Sequence, residues 1–533
     1  MDRIDVTADE ALGGNSDPSG RPSLRPGAPV GSDLLSPGTR GPDSFQRAQT
    51  AQPRVAGGER RSDGAASCEG NESIRLEADC HEVVKGFFLS SAIWFVIFAS
   101  GGFILASWMI APELFLYKNI SWLVFSRVRP VHTNGMIFGF VGSALLGAMY
   151  YYIPHLTRTP LRSKALARLC LWLWNAAVVA GSITLLAGYS QSREYAEYIW
   201  PIDIGVLIVF ALTFFNMLMT VRARNEKILY VSIWYALASL IFIFWIYFFG
   251  NAVWNPSTGA IKGGVPDGIL AWFYGHGVVG LFLTPLAVGL AYYVIPIATR
   301  GPLFSHTLSL VGFWSLLIFY PHIGGHHLLQ TPIPTWLKVV AVTGSIGMLI
   351  PVLVALSNLY LTCRGRFEAI HADIGAKWVF AGLVWYLIVC LQGPFQALPI
   401  VQRITHLTNW VIGHSHIAVL GFAGFIGVGG IYFLIPRVTG RPLYSRKLAD
   451  IQYWFLLVGL AGFFFVLTMA GLIQGNAWLN GETVYRVLPE LHPYFIFRLL
   501  FAMLILIGAF VGLYNIWMSL YRTTQKEDEE PPL

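Results

Sequence analysis

The chain has 533 residues, 55% of them hydrophobic and 12% charged, with a mean hydropathy of +0.57; a soluble domain has about a quarter of its residues charged, so this is a polytopic membrane protein. Its formal charge of +7 would suggest a nucleic-acid partner in a soluble chain, but here basic residues are explained by membrane orientation, and no nucleic acid is implied. Five scattered cysteines without a C-x-x-C pair exclude a zinc site of that kind and covalent attachment of c-type haem.

Residues 1–83 are rich in Gly, Pro, Ser and Arg and poor in large apolar groups, a composition that cannot bury enough surface to offset ordering entropy. They read as a disordered cytoplasmic tail, and 522–533 as a short charged one. Between them the fold class is an all-α membrane bundle of about twelve helices, 84–521, because apolar runs of roughly twenty residues or more match a bilayer of about 30 Å. The spans are 84–111, 132–154, 165–188, 199–221, 228–250, 269–297, 306–330, 336–362, 375–400, 409–436, 451–475 and 493–521. Backbone groups in lipid must be satisfied within their own segment, so these are helices. Loops after even-numbered spans hold fourteen Lys and Arg, among them Arg158, Arg222, Arg300, Arg366 and Arg441, against eight in odd-numbered loops. That asymmetry puts the even loops and both termini in the cytoplasm.

Six histidines then fall at similar depth in the outer half. His132 opens span 2, His276 is about two turns into span 6, His326 and His327 are near the end of span 7, and His414 and His416 are near the start of span 10. Polar groups within spans are costly and tend to mark function. At about 100° per residue, His414 and His416 point about 200° apart, so they cannot share one metal but could serve two centres on opposite sides of one helix. His326 and His327 are close enough to converge on one ion if His276 supplies a third ligand; three imidazoles suit copper, and zinc or iron almost as well. His132 remains to complete one of the span 10 centres. The inventory is a bis-histidine haem, a mono-histidine haem with an open position, and a three-histidine metal facing it.

The stretches "RPVHTNGMIFGF", "EYAEYIWPIDI", "WFYGHGVVGLFLT", "YPHIGGHH" and "THLTNWVIGHSH" together resemble the catalytic subunit I of the haem–copper oxidases, and most closely the C-family, or cbb(3)-type, cytochrome c oxidases. The resemblance implies a twelve-helix fold holding two b-type haems and one copper. His132 and His416 would be axial ligands of the low-spin haem, His414 the proximal ligand of the high-spin haem, and His276, His326 and His327 the copper ligands. It places a redox-active tyrosine at Tyr320, cross-linked to His276, where other oxidases use the position of Gly280. The related nitric oxide reductases carry glutamate there and bind iron; Gly280 cannot ligate iron, so the oxidase reading stands above a reductase-like one. Splitting dioxygen takes four electrons, and Tyr320 would supply the one the metals do not, with a proton.

Further residues follow from the resemblance. Ser309, eleven residues before Tyr320 on nearly the same helical face, would form a proton path with Thr284 and Tyr292. Arg127, Arg129 and His406 would stand near the haem propionates, and Glu194 would help hold a calcium ion there. Expected partners are membrane-anchored c-type cytochrome subunits, a cytochrome c donor, dioxygen and the lipid bilayer of a bacterial inner membrane, with proton uptake and pumping coupled to turnover. The chain departs from the family's Glu-Gly-Pro in span 9: Gln392, Gly393 and Pro394 stand there, so an ionisable group near the site is neutral and proton delivery is expected to differ. A rival of another class is a twelve-span transporter, which predicts internal repeats and mid-membrane broken helices rather than ligands gathered in the outer half.

Overall fold

The computed structural model describes residues 65–113, 120–191, 193–252 and 264–522, with side chains from His81 onward. Of the tails expected at 1–83 and 522–533, residues 1–64 and 523–533 lie outside the described residues. Among the described residues, twelve helices are long and apolar enough to cross a membrane: α1 (His81–Trp108), α2 (Phe125–Thr157), α3 (Lys164–Ala187), α4 (Trp200–Arg222), α5 (Val231–Ala252), α6 (Val265–Ala298), α7 (His306–Leu328), α8 (Thr335–Cys363), α9 (Ile374–Gln396), α10 (Asn409–Thr439), α11 (Arg446–Leu479) and α12 (Val484–Tyr521). The helix carrying α1 begins at Ala65, inside the stretch that composition assigns to the tail.

Ten spans start within about five residues of their sequence-predicted positions, and two start seven and nine residues early. Both early starts run through prolines. α2 begins at Phe125 with Pro130 inside it, and α12 at Val484 with Pro489 and Pro493 inside. Proline lacks an N–H and usually ends a helix, so sequence reading stops there.

α2, α6 and α10 pack against one another at the centre of the bundle, and 94% of the apolar window of each is buried, against 28–61% for the others. α1 packs on α12, closing the outer helices around them. Each central helix changes type soon after its histidines. The backbone becomes a π-helix at Gly135–Gly142, Gly277 being likewise followed by Val278–Leu283 and His416 by Ile417–Gly424. Such π segments are frequent at functional sites. In α7 the α-helix ends at Phe319 and a 3-10 helix carries Tyr320–Leu328, so His326 and His327 diverge by about 120° instead of 100°.

The sequence reading passed over an internal repeat. "IPHLTRTPLRS", "IPIATRGPLFS" and "IPRVTGRPLYS" end α2, α6 and α10, with Pro154, Pro296 and Pro436 spaced 142 and 140 positions apart. Each stretch finishes in a serine that caps the next helix, its Oγ accepting from the N–H three residues on at 3.2 Å. A fully buried asparagine two helices later, Asn216, Asn358 or Asn515, accepts from that serine's N–H and donates to its carbonyl at 2.8–3.1 Å. One turn beyond, the hydroxyl of Thr220, Thr362 or Ser519 takes the preceding N–H. Three four-helix units are thus stapled alike at the end of the bundle away from the histidines. Repeats do occur, as a transporter would require, but they are threefold, and the six candidate histidines lie near one end.

Candidate metal and haem centre

His276, His326 and His327 present ligand atoms all within 4.8 Å of one another, the only such group of three or more among the described residues. His276 Nδ1 lies 2.9 Å from His327 Nε2. The cluster is braced from behind. His326 Nδ1 meets Ser345 Oγ at 2.7 Å; that hydroxyl donates to the Ala341 carbonyl, so it accepts from Nδ1–H and leaves His326 Nε2 for an ion, the supporting arrangement metal-bound histidines use. The His327 ring stacks on Trp272 with centroids 3.9 Å apart.

The other three histidines are oriented the same way. His132 Nδ1–H donates to the Phe98 carbonyl at 2.7 Å, His416 Nδ1–H to the Ile412 carbonyl at 2.7 Å, and His414 Nδ1 faces Gln392 Oε1 at 2.8 Å. Each keeps Nε2 free as a ligand. The His132 and His416 ring centroids are 6.2 Å apart; one metal bonded to two imidazole nitrogens at 2.0–2.1 Å each puts ring centres roughly 6 Å apart. His132 reaches this position over Gly102, where a Cβ would lie 2.6 Å from its ring. α10 therefore separates His416, facing His132, from His414, facing the second side, as the angular argument required.

A haem between His132 and His416 fits a further observation. Arg498 on α12 is 8% exposed, its Nε and Nη1 have no partner among the described residues, and its guanidinium lies 5.6 Å from the Phe463 ring, which packs on His416 at 4.6 Å. An unpaired buried cation calls for an anion, and a haem brings carboxylates. Sequence reading missed Arg498; the signal was a lone arginine in the apolar run of α12. The arginines it chose are already engaged: Arg127 donates to the Leu186 carbonyl at 3.0 Å, and Arg129 pairs with Glu194.

Glu197, three residues on, accepts from Asn134 Nδ2 at 2.8 Å, and burial raises its carboxyl above the usual range, with that hydrogen bond opposing the shift. His406 Nδ1 lies 3.3 Å from Gln330 Oε1; burial lowers its pKa and Glu194 opposes this, so His406, Glu194 and Arg129 share one end of the bundle with the histidines.

Tyr320 stacks on His276, centroids 4.9 Å apart and planes at 15°, and its Oη donates to the His276 carbonyl at 3.4 Å. The ring occupies the space above Gly280, where a Cβ would lie 1.5 Å from Tyr320 Cζ. Glycine at 280 is thus what admits a tyrosine from a different helix. Toward the other end, Ser309 and Tyr292 meet through Asn358, whose Nδ2 donates to Ser309 Oγ at 3.0 Å and to Tyr292 Oη at 3.4 Å. Thr284 does not join them; its hydroxyl donates to the Val279 carbonyl within the π segment. Gln392, expected near the site, touches the back of His414.

Residues 82–504 match the family described as Cytochrome C and Quinol oxidase polypeptide I. Among curated relatives, the cbb3-type cytochrome c oxidase subunit CcoN1 of Stutzerimonas stutzeri is 30% identical over 82% of this chain and 94% of its own length. The cytochrome c oxidase subunit 1 homolog of Agrobacterium tumefaciens is 30% identical over 84% and 85%. A heme-copper terminal oxidase dimer solved by cryo-EM has the same fold, with a TM-score of 0.70 and 16% identity over 83% of this chain and 84% of that one. A histidine set gathered in a twelve-helix bundle, with relatives aligned along nearly their whole length, identifies this chain as a subunit I of the haem–copper oxidase family, with its cbb3-type members among its relatives.

Proposed function

We propose that the chain is the catalytic subunit of a terminal respiratory oxidase that reduces dioxygen to water with electrons from cytochrome c. The observation that carries this reading is the Tyr320 ring lodged over Gly280 and against His276. A reductase site needs an acid from position 280, and here that volume is already filled by a phenol.

His132 and His416 would hold the low-spin b-type haem, His414 the high-spin one, and His276, His326 and His327 the copper. When bound, these groups supply electron storage and the position at which dioxygen is taken up. The protein does the rest. Phe98, Ile412, Gln392 and Ser345 fix the rings so that Nε2 points to the metals, a constraint that preserves ligand geometry through turnover. Tyr320 gives up one electron and the proton on Oη, completing the four-electron requirement. Ser309, Asn358 and Tyr292 carry protons toward it from the cytoplasmic end. Arg498 compensates haem carboxylate charge, and Arg129, paired with Glu194, stands with His406 in a calcium-binding region at the same outer end.

Both termini are cytoplasmic in a bacterial inner membrane, as the loop charges indicate. The donor haems belong to membrane-anchored c-type cytochrome subunits, since the chain has no C-x-x-C-H of its own. Turnover of the purified complex with dioxygen and then nitric oxide, together with metal analysis, tests the reading. Copper with fast dioxygen reduction is expected, and Tyr320→Phe should keep copper and both haems while losing nearly all of that rate. Non-haem iron with faster nitric oxide reduction would refute it.

A further inference from the structure

Two glutamines one turn apart on α9 grip two residues one turn apart on α10. Gln392 Oε1 lies 2.8 Å from His414 Nδ1, and Gln396 Oε1 accepts from Trp410 Nε1 at 2.9 Å. The second contact fixes the register of the two helices, and so holds the first in place. Ligation to iron through Nε2 requires the proton on Nδ1, so it is the amide oxygen of Gln392, not its nitrogen, that faces the ring.

We propose that Gln392 is a positioning residue that tunes the iron behind His414 by giving it an uncharged hydrogen-bond acceptor. This inference rests on His414 being the axial ligand of the high-spin haem. A carboxylate at 392 would pull the Nδ1 proton toward itself, because charge-assisted hydrogen bonds are roughly twice as strong as neutral ones, and would make the imidazole a more electron-rich donor that favours oxidised iron. The amide polarises the ring less. The chain therefore holds this iron at a higher reduction potential than an acid at the same place would give, while the hydrogen bond still stops the ring from rotating. An aliphatic residue would release both controls.

The test compares Gln392→Glu, wild type and Gln392→Leu in the purified complex, by redox titration of the high-spin haem and by the iron–histidine stretching band in resonance Raman spectra. The potential should rise in the order Glu, Gln, Leu, the acid shifting the oxidised-to-reduced equilibrium by about tenfold, or about 59 mV for one electron, and the stretching frequency should fall in that order. Haem and copper contents should stay the same, which separates tuning from misfolding. Gln392→Asn, with its shorter amide, tests the same contact if the acid is not tolerated, and should fall on the Leu side of wild type. Equal potentials and frequencies across the set, with the high-spin haem still lost in His414→Ala, overturn the proposal and leave the haem assignment standing. A high-spin haem retained in His414→Ala overturns both.

Discussion

Gly280→Ala is the smallest change that separates this site from its alternatives. The added Cβ would sit 1.5 Å from Tyr320 Cζ and 2.0 Å from both Cε atoms, where ordinary contact begins at 3.4 Å, so the ring must retreat by about 2 Å. It cannot do so and keep either its stack on His276 or its bond to the His276 carbonyl. Overpacking of this kind costs about 1–3 kcal/mol, which a large membrane bundle survives. Catalysis suffers more, because a misplacement of about 1 Å in a reacting group costs about a hundredfold. The assay is dioxygen consumption with reduced cytochrome c, alongside copper and haem content. The expected result is full cofactor content with dioxygen reduction down at least about a hundredfold. Gly430→Ala is the control, since its Cβ meets the flexible Leu290 Cδ2 at 2.6 Å far from Tyr320, and its rate should stay near wild type. If Gly280→Ala turns over at close to the wild-type rate with copper loaded, the dependence of Tyr320 on the glycine is wrong.

Three more outcomes follow from the site. His414→Ala should abolish the high-spin haem signal and spare much of the low-spin spectrum, and His416→Ala should do the reverse; loss of only the low-spin bands in His414→Ala would reverse the assignment. Ser345→Ala removes the acceptor behind His326 and should weaken copper retention against a chelator by about 10–100-fold, with unchanged retention as the refuting result. Glu197 has a carboxyl raised by burial, so the folded state holds its proton longer than the unfolded state. The stability it contributes is complete below the unfolded pKa and is lost as pH rises through the raised folded one. Glu197→Gln should therefore gain thermal stability over wild type as pH rises above the ordinary carboxylate range, read by loss of haem absorbance on heating; parallel pH profiles would contradict this.

The histidines were legible because six of them fall at a common depth in otherwise apolar spans, and because helical periodicity alone separates His414 from His416. The pairing of Tyr320 with Gly280 was legible only through resemblance, since no spacing within one helix connects residues 280 and 320. Contacts between helices were beyond the sequence: Gln392 could be seen as a missing acid, but its place behind His414 depends on the register of α9 against α10. Ser345, Asn358 and Arg498 each offered a signal, a polar residue inside a span, that was passed over because none stands in a motif. The π and 3-10 segments had no usable signature. Proline misled at Pro130 and Pro493, where the chain keeps its helix.

The threefold repeat supplies a comparison that a single site cannot. Four residues before the shared prolines stand Tyr150, Tyr292 and Tyr432, and Tyr432 Oη accepts from Asn515 as Tyr292 Oη does from Asn358. A tyrosine–asparagine contact that recurs in a unit without a metal cluster is accounted for by the fold, so Tyr292 and Asn358 owe their presence first to the staple. Ser309 does not. One turn after the capping serines the other two units have Ala167 and Ala449, and only the middle unit carries a hydroxyl. Sixteen residues before the prolines the pattern is reversed: the outer units hold Phe138 and Leu420, and the middle one Gly280. Against a symmetric background, this unit has lost a side chain where the Tyr320 ring must fit and gained a hydroxyl on the helix that leads to it. The outer units show what packing alone settles on, an apolar side chain from the same helix at the place of Gly280 and no hydroxyl at the place of Ser309. Two departures against that preference, both directed at one tyrosine, are what selection for chemistry at Tyr320 would leave behind.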